Sequence, residues 1–201
     1  MSVADRRYRE KLTLRQEILS AARELLAQEG YESLSMRKIA EKIEYSPAAI
    51  YLHFQDKHQL IYELCEETFS LLDKKLERAQ KSITDPVERL KAGARDYVEF
   101  GLQHPNHYRV TFMTPHHPGE RKKIEESVGA RTFQILMNTV ADAVATGRFR
   151  ETDAAAISQS LWCTVHGVTA LLISHRDCFR WVEKDRLIGL AIDSAIRGLL
   201  W

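Results

Sequence analysis

Between Ile50 and Lys57 the chain reads Ile-Tyr-x-His-Phe-x-x-Lys, and this run raises the first chemical question. It sets a phenol, an imidazole and an ammonium at positions that short apolar helices do not fill by chance. Lys57 stands where a new helix is expected to begin, and a helix N-terminus attracts phosphate through its free N–H groups and its dipole. The other residues with chemical potential form no such pattern. His104 and His107 bracket Pro105, and His116 and His117 precede Pro118. No cysteine or carboxylate stands at ligand spacing from either pair, and no His-Glu-x-x-His helix occurs, so solvated loop histidines are expected and no metal. Cys65, Cys163 and Cys178 are odd in number and widely spaced. They make neither a metal signature nor a disulfide framework, which suits a reducing cytosol. Cys65 and Cys163 read as small buried hydrophobes. Gly-x-Ser-x-Gly, phosphate-loop and Gly-x-Gly-x-x-Gly patterns are missing, so no cofactor is expected and an enzyme is a weak alternative.

The elements that must position the run lie in Ser33–Lys57, SLSMRKIAEKIEYSPAAIYLHFQDK. Ser35 is an N-cap candidate, since its hydroxyl can accept from an orphan backbone N–H. Met36, Ile39, Ala40 and Ile43 then fall on one helical face. Glu44 and Tyr45 carry a turn. Ser46 is a second N-cap, with Pro47 at the first helical position, where its missing N–H costs nothing. This helix is expected to run to about Phe54, and Asp56 to cap the next at Lys57. Two short helices joined by such a turn are a helix-turn-helix. In that motif the second helix enters the major groove.

The stretch resembles the DNA-binding core of the TetR family of one-component transcriptional regulators, at Leu34, Ser35, Ile39, Ala40, Ser46, Ile50, Tyr51, His53, Phe54 and Lys57. One position departs from it. The family usually has glycine in the turn where this chain has Glu44; glycine takes positive φ cheaply, and glutamate would bear strain. The resemblance implies that Ser35, Met36 and Arg37, opening the first motif helix, and Ser46, Pro47, Ala48 and Ala49, opening the second, face DNA. Tyr51, His53 and Lys57 resemble the phosphate-contacting set, which positions and does not specify. Ala48 and Ala49 offer methyl groups, which suit thymine methyls, and Arg37 is the one strong donor, with guanine as its natural partner. Pairing of Arg37 with Glu41 one turn on is the plainer reading.

At 201 residues, 44% apolar and 28% charged, the chain has the composition of one or two soluble globular domains. Its net charge is only +1, so any basic footprint must be local. No apolar run appears long enough for a membrane span and no signal peptide is evident, so a cytoplasmic protein without a membrane partner is expected. Residues 1–12 carry Arg6, Arg7, Arg9 and Lys11 against Asp5 and Glu10. They read either as a frayed terminus or as a basic arm reaching phosphates or a minor groove. Thr13 and Gln16 suggest a capping box opening a first helix that ends at Gly30. Residues 13–57 are then one DNA-binding unit, and 58–201 the remainder.

Helical periodicity continues to the C-terminus. A long helix is expected to about Lys81. Others follow Asp85-Pro86, His107–Met113, Glu120–Thr146 after a Thr114–Gly119 loop, Asp153 and Glu183, the last running to Trp201. No stretch alternates as a strand would, so the chain reads as all-α, with about nine helices. Residues 154–175 are apolar nearly all round, which implies burial on more than one side. In the TetR family the last two helices pair with their copies in a four-helix bundle. That resemblance implies a homodimer, with Val165, Leu172, Ile188, Ile192, Ile196 and Leu199 as anchors. Trp162, His166 and Gly167 resemble the tryptophan-histidine-glycine signature of one ligand-domain subgroup. Trp162 and His166 share a helical face by their spacing, and Gly167 suggests close helix packing. Tyr97, Phe100, Phe112, Met113, Phe133, Met137, Trp162 and His166, with Tyr108, could line an apolar effector pocket; plain core is the alternative for each.

The resemblance therefore implies a homodimeric regulator, a repressor of a palindromic double-stranded DNA operator, released by an apolar small-molecule effector. A helix-turn-helix protein without an effector is the alternative.

Overall fold

A computed structural model describes residues 3–113 and 127–201. The Thr114–Gly119 loop, His116, His117 and the helix start expected at Glu120 lie outside the described residues. Among those described, nine helices occur and no strand, apart from one isolated antiparallel bridge between Phe149 and Leu200. In chain order they are α1 (Val3–Glu29), α2 (Met36–Lys42), α3 (Pro47–Tyr51), α4 (Lys57–Ser82), α5 (Pro86–Gln103), α6 (Pro105–Phe112), α7 (Val128–Ala145), α8 (Ala154–Ser174) and α9 (Lys184–Arg197).

The start of α1 differs from the expected one. Thr13 and Gln16 do not open the helix, which already runs from Val3. No glycine or proline breaks residues 3–12, and Asp5 stands in the first turn, where a carboxylate favours the helix dipole. The basic arm is thus a helical overhang.

The described chain forms two compact units. One holds residues 3–68 and 106–113, the other 69–105 and 127–201. The first cut falls at Thr68, inside α4, and so differs from the functional segments 1–12, 13–57 and 58–201. The reason is packing. Leu60, Ile61 and Leu64 of α4 complete a core made by Ile18, Ala22 and Leu25 of α1, Ile39 and Ala40 of α2, Ile50 and Phe54. Val110 of α6 joins the same core. Two short helices alone would leave these side chains wet, at about 1.5–3 kcal/mol for each large one.

In the second unit α5 packs on α7, α8 and α9, and α8 packs on α7 and α9. Asp85 and Asp153 cap α5 and α8 as expected, each carboxylate accepting from two backbone N–H groups. Gly147, at φ 72°, follows α7. α8 is long and apolar enough to cross a membrane by length and composition, contrary to the reading from apolar runs. Its Ile157, Leu161, Val165, Leu172 and Ile173 are instead buried in this unit.

Two further expectations about α8 and α9 are corrected. α9 ends at Arg197 and not at Trp201. Beyond it the backbone turns to pair with residues 148–150. Arg150 N–H donates to the Leu199 carbonyl at 3.0 Å, and Trp201 N–H to the Arg148 carbonyl at 3.2 Å. The Arg150 guanidinium also donates to the Gly198 carbonyl. Second, Val165, Leu172, Ile188, Ile192 and Ile196 are at most 7% exposed. They fill the core of their own unit and cannot also be the seam of a dimer, and Leu199 belongs to the C-terminal pairing. Spacing finds an apolar face but does not say whether a neighbouring helix or a second chain covers it. The sides of α8 and α9 that do meet solvent carry Leu171, Leu190 and Cys163, the last contrary to its reading as a buried hydrophobe.

Ile196→Ala should therefore cost about 2–5 kcal/mol by leaving a cavity, and Arg186→Ala, at an exposed position of the same helix, should stay within about 0.5 kcal/mol. Urea unfolding followed by circular dichroism checks both. The reverse order would show that α9 is turned the other way.

Candidate nucleic-acid interface

Ser35 and Ser46 are the caps expected of them. The Ser35 hydroxyl accepts from Lys38 N–H at 3.2 Å, and the Ser46 hydroxyl from Ala49 N–H at 3.3 Å. Between them, Tyr45 N–H reaches back to the Ala40 carbonyl at 2.9 Å and Glu44 N–H to the Glu41 carbonyl at 3.3 Å. Those two bonds are a Schellman closure of α2, which demands a left-handed residue at Glu44. Glu44 has φ 60° and is the one non-glycine residue with positive φ among those described. The departure from glycine thus keeps the turn and bears the strain locally.

α3 stops at Tyr51, earlier than the expected Phe54. Phe54 N–H still bonds the Ile50 carbonyl at 3.1 Å, but Leu52 to Phe54 form a turn that sends the chain into α4. Ile50 and Phe54 are buried anchors at 0% and 1% exposure. Pro47, Ala48 and Tyr51 face solvent and Ala49 is half-buried. Met36, expected at the DNA face, is buried in the first unit's core and is withdrawn from that set. An apolar side chain at the first turn of α2 packs inward because α1 and α4 stand behind it.

Arg37 makes the local pair. Its Nε donates to Glu41 at 2.9 Å, with side chains 82% and 61% exposed. So open a pair contributes about 0.2–0.5 kcal/mol, less than the roughly 1–3 kcal/mol of a bidentate guanine contact. The pair can therefore yield to a base.

The Lys57 ammonium donates to the Tyr31 carbonyl and sits 3.8 Å from the centre of the Tyr31 ring. Burial lowers its pKa, partly opposed by Glu32. An ammonium has three protons, so this anchorage leaves donors for phosphate. His53 is half-buried, with Nδ1 lacking a hydrogen-bond partner. Burial, then the charges of Lys11 and Arg15, push its pKa below the usual value. Those causes favour the neutral imidazole, which keeps one N–H to donate.

Several supports were not legible from local spacing. Lys38 pairs with Glu29 at 2.6 Å and Lys42 with Glu24 at 3.2 Å, tying α2 to α1. Arg15 pairs with Glu63, and its guanidinium lies 5.0 Å from the centre of the Phe54 ring. Arg23 pairs with Glu67 at 2.5 Å.

Of the expected effector-lining residues, the second unit brings four together. The Trp162 indole N–H donates to the Tyr97 hydroxyl at 3.1 Å, and the Phe133 and His166 rings lie 6.0 and 6.1 Å from Trp162. His166 is half-buried, and burial lowers its pKa. Phe100 is 1% exposed, with its ring centre 5.0 Å from that of His104 and tilted to it by 43°, so it reads as core. Met137 is half-buried. Phe112 and Met113 fall in the other compact unit, as does Tyr108, which is fully buried against Phe112. A Cβ added at Gly167 would meet nothing within 4 Å, so the expected close packing within the chain is not found. Among the described residues no group of three potential metal ligands gathers.

Residues 18–64 match the family described as "Bacterial regulatory proteins, tetR family", and residues 90–188 match "Tetracyclin repressor-like, C-terminal domain". The chain belongs to the TetR family. It is therefore a transcriptional regulator with a DNA-binding helix-turn-helix. It is similar to the HTH-type transcriptional activator FasR of Mycolicibacterium smegmatis, with 25% identity over 92% of this chain and 78% of that protein. A solved structure of a protein of unknown function from Rhodococcus sp. RHA1 is 29% identical, over 94% of this chain and 96% of the other, with a TM-score of 0.76. AibR, solved with isovaleryl coenzyme A and operator DNA, has the same fold at 23% identity and TM-score 0.72, over 92% of this chain and 97% of the other.

The strained turn of this TetR-family chain gives a direct test. Left-handed backbone costs a residue with a Cβ roughly 1–2 kcal/mol, and glycine returns part of that through unfolded-state entropy. Glu44→Gly should raise stability by about 0.5–1 kcal/mol in urea unfolding. A loss of stability would mean that the Glu44 side chain itself holds the turn.

Proposed function

We propose that the chain works as a homodimer on a palindromic operator and is released from it by an apolar small molecule, so that it acts as a repressor in the cytoplasm. The observation that carries this reading is the capped helix-turn-helix, with Arg37, Pro47, Ala48 and Tyr51 on its open side. Arg37 and the Ala48 and Ala49 methyls read bases, Tyr51, His53 and Lys57 hold phosphates, and the Ser35 and Ser46 hydroxyls set the helix starts. Isolating DNA bound from a random pool tests this. Inverted half-sites about one helical turn apart, roughly 34–36 Å, are expected. Unordered recovery would refute it. In that assay Arg37→Ala should change base preference. Lys57→Ala should weaken every sequence by the same factor and flatten the salt dependence.

The exposed sides of α8 and α9 support the dimer. Cys163 and Leu171 on α8, with the half-buried Gly167 between them, and Leu190 and Ser194 on α9 offer small and apolar groups that a second copy could approach closely. A two-fold axis would use the same patch twice. Leu171→Glu or Leu190→Glu should split the dimer without unfolding the protomer, and operator affinity should fall steeply because linked half-sites bind far better than single ones. Sedimentation with an operator titration reads both. A variant that stays dimeric and binds normally would place the seam elsewhere.

The Tyr97–Phe133–Trp162–His166 group supports an effector site of largely aromatic lining, with Met137 nearby in sequence. AibR was solved with an acyl thioester, which makes acyl coenzyme A compounds the first probes. Effector and DNA would then favour different states, and by linkage each weakens the other. A ligand at a hundred times its dissociation constant should add about 2.7 kcal/mol to stability, visible as a rise in melting temperature. A chain that no apolar acid or thioester stabilises would fit the reading without an effector. Activation is a second reading of the sign, favoured by the similarity to the activator FasR. A reporter transcribed from the selected operator separates the two.

A further inference from the structure

α1 continues as one helix well before the point where it meets the rest of the first unit. Its inward stripe is Ile18, Ala22 and Leu25, all buried. Followed back one turn at a time, the same face carries Arg15, then Lys11, then Arg7, since residues four apart lie nearly in line on a helix. The stripe therefore changes from apolar to basic where the core ends. These cations face the same way as the core residues, not the opposite, solvated side.

Two contacts fix what that face looks toward. Arg15 lies against Phe54, just after α3. On the other flank, Arg6, Arg9, Glu10 and Tyr45 line one surface groove of about 330 Å³, so the overhang also passes the turn just before α3. Arg7 and Lys11 sit between these flanks, with α3 running from one to the other. Of the basic residues on the overhang, Arg6 is paired with Glu10 and Arg9 reaches the Asp5 carbonyl. Arg7 and Lys11 have no counter-ion among the described residues, and both are exposed. Lys11 is near enough to His53 to oppose its protonation.

We infer that α1 is itself part of the DNA surface: Arg7 and Lys11, held on a helical overhang beside α3, bind backbone phosphates next to those met by Tyr51 and His53. This rests on the DNA-binding reading above and extends its footprint to a helix that reads no bases. An overhang of this kind adds affinity without specificity, because phosphates carry no sequence. It also gives a chain of net charge +1 a local basic footprint.

The experiment is a fluorescence-anisotropy titration of a mixed-sequence duplex at several salt concentrations, repeated with a duplex selected by the wild type. Arg7→Gln and Lys11→Gln should each lower the slope of log affinity against log salt by about one per bound protomer. Each should weaken both duplexes by the same factor. Lys11→Arg should restore the wild-type slope, and Arg6→Gln should leave it unchanged. Circular dichroism verifies that the helix is kept. If the wild type binds with a normal salt slope and both glutamine variants keep it, the inference is overturned and the DNA-binding reading stands. A changed base preference at unchanged slope overturns it as well, by showing an arm that reads the groove. If the wild type binds neither duplex, the DNA-binding reading fails and this inference with it.

Discussion

A five-residue helix cannot hold its own shape in water, since nucleation alone costs more than one turn of hydrogen bonds returns. α3 exists because everything around it is arranged to supply what it lacks. Ser46 and Pro47 define its start, Ile50 and Phe54 pin its underside, and the Schellman closure at Ala40–Tyr45 sets the direction from which it begins. Those anchors need a wall to be buried against. α1 and the first half of α4 are that wall, and the Arg15–Glu63 and Arg23–Glu67 pairs keep the two together. The first unit is thus a support for a very short element whose outer side stays open.

The fold was legible wherever a single residue type decides a local conformation. Ser35, Ser46, Asp85 and Asp153 announced helix starts because a side-chain oxygen satisfies an orphan N–H, and each does so. Gly30 announced an end because positive φ suits glycine, and it has it at 81°. The failures share one cause. Thr13 has the spacing of a capping box, but a cap forms only if the preceding residues leave the helix, and nothing in residues 3–12 makes them do so. The end of α9 was missed because the pairing of Leu199–Trp201 with Arg148–Arg150 joins segments far apart in sequence.

The same division applies to the candidate sites. The helix-turn-helix was legible as a pattern, including the left-handed turn at Glu44. Which of its residues are open was not, and Met36 is buried because of helices that local spacing cannot see. In the second unit, spacing placed Trp162 and His166 on one face, but the bond from Trp162 to Tyr97 on α5 had no local signal. For α8 and α9, periodicity gave the stripe correctly; the family resemblance assigned it to a second copy, whereas the chain's own unit covers it. A stripe records that something apolar is covered; what covers it is a tertiary fact.

The placement of the tryptophans has an optical consequence. All three, Trp162, Trp181 and Trp201, lie in the second unit, and the first holds none. Trp162 is 39% exposed with its indole hydrogen-bonded, while Trp201 is 87% exposed. Emission excited at the indole band therefore reports one half of the molecule, with Trp201 as a steady red-shifted background and Trp162 and the half-buried Trp181, whose indole N–H donates to the His175 carbonyl at 3.2 Å, as the responsive probes. Melting of the helix-turn-helix half is silent in that channel and registers only in signals that every helix shares. Comparing the two channels turns an accident of composition into a measure of whether the halves unfold as one.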